Sequence, residues 1–349
     1  MPAQAKIKIG VIGASGYTGA DLIRLAACHP HMELALLAAN THAGKALGEV
    51  FPHLGLIGAP ALVKAEDADW SQCGAVFCGL PHGTAQDIIA TLPESVKVID
   101  MSADFRLRNT ATYAKWYGRE HAAAHLLNDA VYGLTEFYGD AIAKARLVAC
   151  PGCYPTAALL ALLPLVHAKL IDASDIIIDA KSGVSGAGRS LKQNILFSEA
   201  GEGLSPYAIA SHRHAPEIEQ EISAAAGEQV LVNFTPHLVP MSRGELVTAY
   251  VRLGAGKQPA DLMAALEARY KAAHFVKLAP KGTLPSTQFV RGSNYCMIGV
   301  YADRIPGRAI VVSAIDNLVK GSAGQAIQNF NLMHGFPEST GLEQLPLFP

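Results

Sequence analysis

Residues Lys6 to Ile12 form a short β-branched run ending in glycines, and Tyr17 to Ala27 behind it carries apolar residues at helical spacing. A second strand pattern follows at Leu34 to Ala39, so strand, glycine turn, helix and strand stand in the order of a right-handed βαβ unit. Ala75 to Cys78, Val96 to Asp100 and Arg146 to Cys150 are three further buried-strand patterns, separated by helical stretches. Together they predict a doubly wound parallel sheet.

Beyond Cys153 the texture changes. Ile176 to Ala180, Val230 to Thr235, Leu246 to Leu253 and Ile310 to Ile315 read as strands, and Val247, Ala249 and Val251 alternate with Thr248, Tyr250 and Arg252. Period two marks a sheet with one solvated face. The region from 153 to about 315 is therefore expected to be an antiparallel or mixed α+β domain. A helix from about Lys320 to Met333 is placed to return to the first domain, and Ser182 to Ser190 reads as a loop. The overall class is α/β.

A chain of 349 residues has room for two such domains. With 28 basic and 30 acidic residues the net charge is −2, without a block of either sign, which argues against nucleic acid or an anionic membrane as partner. The longest apolar stretch, Ala157 to Val166, is shorter than the roughly 20 residues a membrane span needs and contains Pro164. Met1 to Lys6 runs into the first strand pattern without a signal-peptide core. Six cysteines do not make a disulfide framework in a chain this long. A soluble, cytoplasmic protein is the expectation.

Gly13-Ala14-Ser15-Gly16-Tyr17-Thr18-Gly19 lies where strand meets helix, and such a turn offers helix N–H groups to a pyrophosphate. An NAD-binding chain places an acid after the second strand for the ribose 2′-hydroxyl. Here Ala38 to Lys45 contains no acid but includes Thr41 and Lys45, which favours NADP(H).

Cys153 follows a Pro-Gly turn at the start of an apolar helix, where the macrodipole favours a thiolate and hence a covalent nucleophile. Cys150 and Cys153 also make C-x-x-C, which leaves a redox pair or half a zinc site open, and a buried small hydrophobe is the plain reading, as for Cys28, Cys73 and Cys296. No metal is expected. His212-Arg213-His214-Ala215-Pro216-Glu217 clusters two imidazoles with a carboxylate, the groups of acid–base chemistry.

Taken with Phe51-Pro52-His53-Leu54, Leu80-Pro81-His82-Gly83, Asp104-Phe105-Arg106-Leu107, the Pro-Gly-Cys-Tyr-Pro-Thr segment, Ser182 to Arg189, Pro236 to Gly244 and Asp316 to Ala326, the chain resembles the N-acetyl-gamma-glutamyl-phosphate reductases. These belong with the aspartate-semialdehyde and glyceraldehyde-phosphate dehydrogenases. The resemblance implies a Rossmann domain at 1–152 completed by 316–349, and a catalytic and dimerisation domain at 153–315. It implies a phosphorylating aldehyde dehydrogenase of arginine biosynthesis that reduces a small acyl phosphate with NADPH through a Cys153 thioester, in a homo-oligomer (dimer or tetramer). By the same resemblance His214 is the acid/base, with His212 the second choice and Glu217 the orienter. The glycine turn (Gly13, Ser15, Gly16, Tyr17, Thr18, Gly19), Thr41, Lys45, Pro81, Ser182, Gly183 and Asn317 hold the cofactor. A phosphate beside a carboxylate calls for arginines, and Arg106, Arg189, Arg213 and Arg243 are the candidates. Cys150 stands where relatives often carry Asn, and Glu245 where an apolar residue is common. Two other readings stand beside this one: a lysine-pathway reductase of an aminoadipyl phosphate one methylene longer, free or carrier-linked, and a nucleotide-sensing regulator switched by the Cys150–Cys153 pair.

Overall fold

The computed structural model describes residues 5–349, so residues 1–4 of the expected first domain and N-terminal segment lie outside the described residues. The chain forms two compact units, Met1–Pro151 with Ser322–Glu343, and Gly152–Gly321 with Gln344–Pro349.

The first unit runs β1 (Ile7–Ile12), α1 (Tyr17–Ala27), β2 (Met32–Ala38), α2 (Leu47–Val50), β3 (Leu62–Val63), β4 (Ala75–Cys78), α3 (Ala85–Thr91), β5 (Lys97–Asp100), α4 (Thr110–Tyr117), β6 (Ala130–Tyr132), α5 (Thr135–Ile142) and β7 (Leu147–Ala149). The sheet order is β3-β2-β1-β4-β5-β7-β6, and every pairing is parallel. The central strands are covered on both faces, which is why they read as unbroken apolar runs: all four residues of β4 are buried. The two edge strands, β3 and β6, have two and three residues, too few to give a pattern, and the sequence did not reveal them.

Glycine is obligatory at the β1–α1 turn. Gly13 has φ +88°, and a Cβ there would collide with the Gly79 carbonyl, while one at Gly19 would collide with the Gly13 carbonyl. These two glycines close the turn on its neighbours. Gly16 is different: a Cβ there would meet Gly13 O at an ordinary 3.5 Å, so internal packing does not demand a glycine.

The second unit runs α6 (Cys153–His167), β8 (Ile171–Gly183), α7 (Phe197–Ala200), β9 (Ser205–Pro206), α8 (Ala215–Ala226), β10 (Asn233–Val239), β11 (Glu245–Leu253), α9 (Pro259–Tyr270), β12 (Val276–Leu278), β13 (Cys296–Ala302) and β14 (Arg308–Ile315). Its sheet, ordered β12-β13-β14-β11-β8-β10-β9, is mixed: β8–β10 and β12–β13 are parallel and the other pairs antiparallel. Helix α6 packs on β8, β11 and β14, with α8 and α9 beside it. All its residues from Tyr154 to Val166 are buried, Pro164 included.

Several boundaries differ from the sequence reading. Val230 to Val232 are not in a strand: Ser223 Oγ accepts from the Val230 N–H at 2.9 Å and Glu219 Oε1 from the Val232 N–H at 3.2 Å, so α8 side chains take the ladder donors. Strand β8 starts at Ile171, through the polar Asp172 to Asp175, and ends at Gly183, so the expected loop from Ser182 opens in a strand and continues as a 3₁₀ turn over Val184–Ala187. Strand β13, interrupted by Gly299, was not foreseen. The segment from Lys320 begins in a π-helical turn, Val319–Ala323, before α10 (Gly324–Met333) packs on α1, α5 and β5 of the first unit. Residues 316–321 and 344–349 thus pack with the second unit rather than the first.

Candidate active site

Cys153 is the first residue of α6 and is partly exposed. Gly152 caps the helix in an extended conformation, without a side-chain cap and without an acid in the first turn, so the positive dipole end lies beside the sulfur. The turn itself is pinned: buried Glu217 accepts the Gly152 N–H at 2.8 Å, and Thr156 Oγ1 donates to the Gly152 carbonyl at 2.9 Å. A Cβ at Gly152 would collide with His214 Nε2, so the imidazole rests over the Cα next to Cys153. His214 caps α8 and Glu217 is in its first turn, so a single helix start delivers both to the Cys153 turn.

His212 is in a different state. Its Nδ1 accepts the His214 N–H at 3.1 Å, and its ring lies edge-on to Tyr154, Tyr207 and Phe234. Burial first, then the charge of Arg213, pulls its pKa down to about 4. At neutral pH it is an uncharged ring with one nitrogen already engaged.

On the sheet side, the Gly183 N–H donates to Gly244 O and the Val184 N–H to Met241 O, both at 2.9 Å. Asn317 braces this loop pair: Oδ1 accepts the Gly244 N–H at 2.9 Å and Nδ2 donates to Ser185 Oγ at 3.0 Å. Ser182 is buried beside it. Arg243 is half-buried, 3.5 Å from the buried Asp316 carboxylate, while Arg189 and Arg213 are exposed. Arg106, in the first unit, is buried and donates from Nε to Cys150 O at 2.8 Å and from a terminal nitrogen to Met101 O at 3.1 Å, which ties the ends of β7 and β5 together.

Two residues beside Cys153 carry no role in the sequence patterns. Glu245, which stands where an apolar residue is common, is fully buried at the start of β11. Its clue was parity, since it shares the inward phase of Val247, Ala249 and Val251. Gly321, in the π turn, approaches Cys153 so closely that a Cβ would lie 2.7 Å from Cys153 Cβ. No local pattern announces such a contact. Gly321→Ala is expected to displace the sulfur, at a stability cost of about 1–3 kcal/mol and a loss of kcat/KM of at least about tenfold. Thermal melts and steady-state kinetics on the same preparation check both.

In the first unit, α1 likewise starts at Gly16 with no side-chain cap and no acid in its first turn. Ser15, Tyr17 and Thr18 border that end, Pro81 is exposed just beyond β4, and Thr41 and Lys45 are exposed beyond β2. An open helix terminus, a Gly16 whose missing side chain no protein group requires, and donors without a competing acid fit a dinucleotide carrying a 2′-phosphate.

All six cysteines are free. Cys150 is sealed in the core, where Asn329 Nδ2 donates to its sulfur at 3.6 Å and burial pushes its thiol up to about 12, which disfavours its thiolate at neutral pH. Cys73 and Cys296 are buried as expected, but Cys28, at the end of α1, is exposed.

Residues 8–145 match the semialdehyde dehydrogenase NAD binding domain family, and residues 153–317 match the semialdehyde dehydrogenase dimerisation domain family. A probable chloroplastic N-acetyl-gamma-glutamyl-phosphate reductase of Arabidopsis thaliana is 55% identical over 98% of this chain and 86% of its own length. The N-acetyl-gamma-glutamyl-phosphate reductase of Rhodospirillum rubrum is 54% identical over 99% of each. Among solved structures, aspartate semialdehyde dehydrogenase II of Vibrio cholerae superposes with a TM-score of 0.71 at 17% identity, covering 95% of this chain and 99% of that one. Aspartate semialdehyde dehydrogenase of Candida albicans, solved with NADP, superposes with a TM-score of 0.66 at 18% identity, over 95% and 99%.

Proposed function

This chain belongs to the N-acetyl-gamma-glutamyl-phosphate reductase family, and on that premise we propose that Cys153 is the nucleophile of an NADPH-dependent reduction of N-acetyl-L-glutamyl 5-phosphate to the 5-semialdehyde. The observation that carries the assignment of roles is the meeting of Cys153, His214 and Glu217 at one turn.

The Cys153 thiolate attacks the acyl carbon: a C–S bond forms, the C–O bond to phosphate breaks, and phosphate leaves with the electron pair. N–H groups at the start of α6 receive the developing oxyanion. NADPH, when bound, supplies the hydride that reduces the thioester. His214 donates to the departing phosphate oxygen the one proton that the overall reaction consumes; the hemithioacetal oxyanion then collapses, C=O re-forming as the C–S bond breaks toward sulfur and the thiolate returns. Glu217 keeps the turn rigid rather than exchanging protons. His212, uncharged and committed through Nδ1, supports His214 by holding its backbone.

Arg243, already oriented by Asp316, is the strongest of the arginines for the substrate's anionic groups, with Arg213 and Arg189 on exposed loops as further contacts. Arg106 is a further candidate for those groups and also holds the Cys150 and Met101 carbonyls. Gly13, Ser15, Gly16, Tyr17, Thr18 and Gly19 would hold the pyrophosphate, Thr41 and Lys45 the 2′-phosphate, and Pro81, Ser182, Gly183 and Asn317 the nicotinamide end. Among the described residues no helix is long and apolar enough to cross a membrane. The six free cysteines support a reducing compartment such as the cytoplasm. The match to a dimerisation domain and the nearly fully exposed Leu191 and Phe197 support a homo-oligomer, dimer or tetramer.

The test is turnover. With N-acetylglutamyl phosphate, NADPH oxidation should equal phosphate release, and kcat/KM should exceed that for the aminoadipyl phosphate by about 10–200-fold, the usual worth of one methylene. Lys45→Glu should erode the preference for NADPH over NADH. Faster turnover of the longer substrate would move the chain to the lysine-pathway reading.

A further inference from the structure

Glu245 opens β11 between Ser182 of β8 and Ile315 of β14. Strand alternation sets it on the inward face with Val247, Ala249 and Val251, in a strand that α6 packs against. An apolar row thus ends in a carboxyl, fully buried beside the helix start that carries Cys153. No described protein group holds either carboxyl oxygen in a hydrogen bond of ordinary geometry. The side chain close enough to act on it as such a partner is the Cys153 thiol.

A carboxylate deprived of water and of donors is strongly disfavoured, whereas a carboxylic acid has a single O–H to place. Burial first, opposed by Cys153 and reinforced by the charge of Asp316, raises the Glu245 pKa to about 8. The other titratable groups that feel its charge are Tyr154 of α6 and Tyr207 ahead of α8, while Arg243, two positions before it in sequence, faces Asp316 and the Lys320 ammonium lies over the Phe275 ring. Lys181, next to Ser182, is committed to Asp179 at 2.5 Å.

We propose that Glu245 belongs to the nucleophilic centre: as a carboxylic acid it donates a hydrogen bond to the Cys153 sulfur whenever that sulfur carries negative charge, before attack and again as the hemithioacetal expels it. The proton stays on the carboxyl oxygen throughout, so His214 keeps the proton transfer. Ionisation of Glu245 removes this donor and sets a second negative charge beside the sulfur, so the thiolate is penalised once the pH passes about 8. The proposal rests on the assignment of Cys153 as nucleophile.

Iodoacetamide alkylation of Cys153 in the full chain, followed on its own peptide so that the exposed Cys28 does not contribute, reads the thiolate directly. Rates are compared from about pH 6 to about pH 10, a span that brackets the carboxyl and thiol titrations. Glu245→Gln keeps a donor at every pH. It should match the unsubstituted chain below pH 7 and outpace it by about 3–10-fold at pH 9. Glu245→Leu has no donor and should react about tenfold more slowly at pH 7. Superimposable profiles for the Gln variant and the unsubstituted chain overturn the proposal, as does a Leu variant that reacts at the unsubstituted rate at pH 7. If the Leu variant does not fold, the Gln comparison decides alone. Alkylation needs no acyl phosphate, so normal turnover with superimposable profiles rejects Glu245 only. The expected profiles without turnover reject the substrate assignment only.

Discussion

Cys153→Ser is expected to lower kcat/KM for N-acetylglutamyl phosphate by at least about 10⁴-fold, the order seen when a covalent nucleophile is removed. The reason lies in the sulfur at both ends of the cycle. A serine hydroxyl does not ionise at neutral pH even at a helix N-terminus, so it cannot attack the acyl phosphate at a useful rate. Any ester that formed would give a hemiacetal, whose alkoxide leaves far less readily than a thiolate. The fold should not notice. Residue 153 stands partly exposed at the first position of α6, where serine is well tolerated. NADPH affinity and the melting temperature should therefore be retained, and these two controls separate lost chemistry from lost structure. Near-normal turnover by the serine variant would refute the thioester route.

The two histidines, ranked first and second for acid–base work, should differ widely. His214→Asn is expected to reduce kcat by about 10²–10⁴-fold, the range for a lost general acid–base, with a much smaller change in KM. Asparagine is a good residue at a helix cap, the place His214 occupies on α8, so the substitution leaves the helix start intact. His212→Asn should cost less than about tenfold, because the ring it removes is uncharged at neutral pH and acts through one hydrogen bond to the His214 backbone. Steady-state kinetics on the pair check this, and a larger loss for His212 than for His214 would reverse the assignment.

The nucleotide half was legible because its chemistry and its packing coincide in a few contiguous residues. Gly13 and Gly19 are fixed by close approach of backbone, and β4 by burial on both faces, so each left a local mark. The catalytic half was legible in its residue types and only partly in its arrangement. Cys153, His214 and Glu217 stood out as chemistry-bearing residues in motifs, yet the choice between His212 and His214 depends on which ring lies over Gly152, a contact across 62 positions of sequence. Asn317 and Arg106 looked like ligand-binding residues because amides and guanidinium groups suit ligands. They also brace Gly244, Ser185, Cys150 and Met101 on other segments, contacts that no local pattern records. Gly321 and Glu245 carry their meaning entirely through neighbours distant in sequence, and periodicity holds no record of those.

Helix α6 offers no face to water from Tyr154 to Val166. An interior this dense tolerates few changes in volume, so mutational drift in the mount of the nucleophile is largely closed to selection. Divergence toward a new acyl chain length must then come through surface loops, the stretch from Val184 to His214 above all, which can vary without disturbing the part that does the chemistry. The fold separates what evolution can retune from what it must inherit intact.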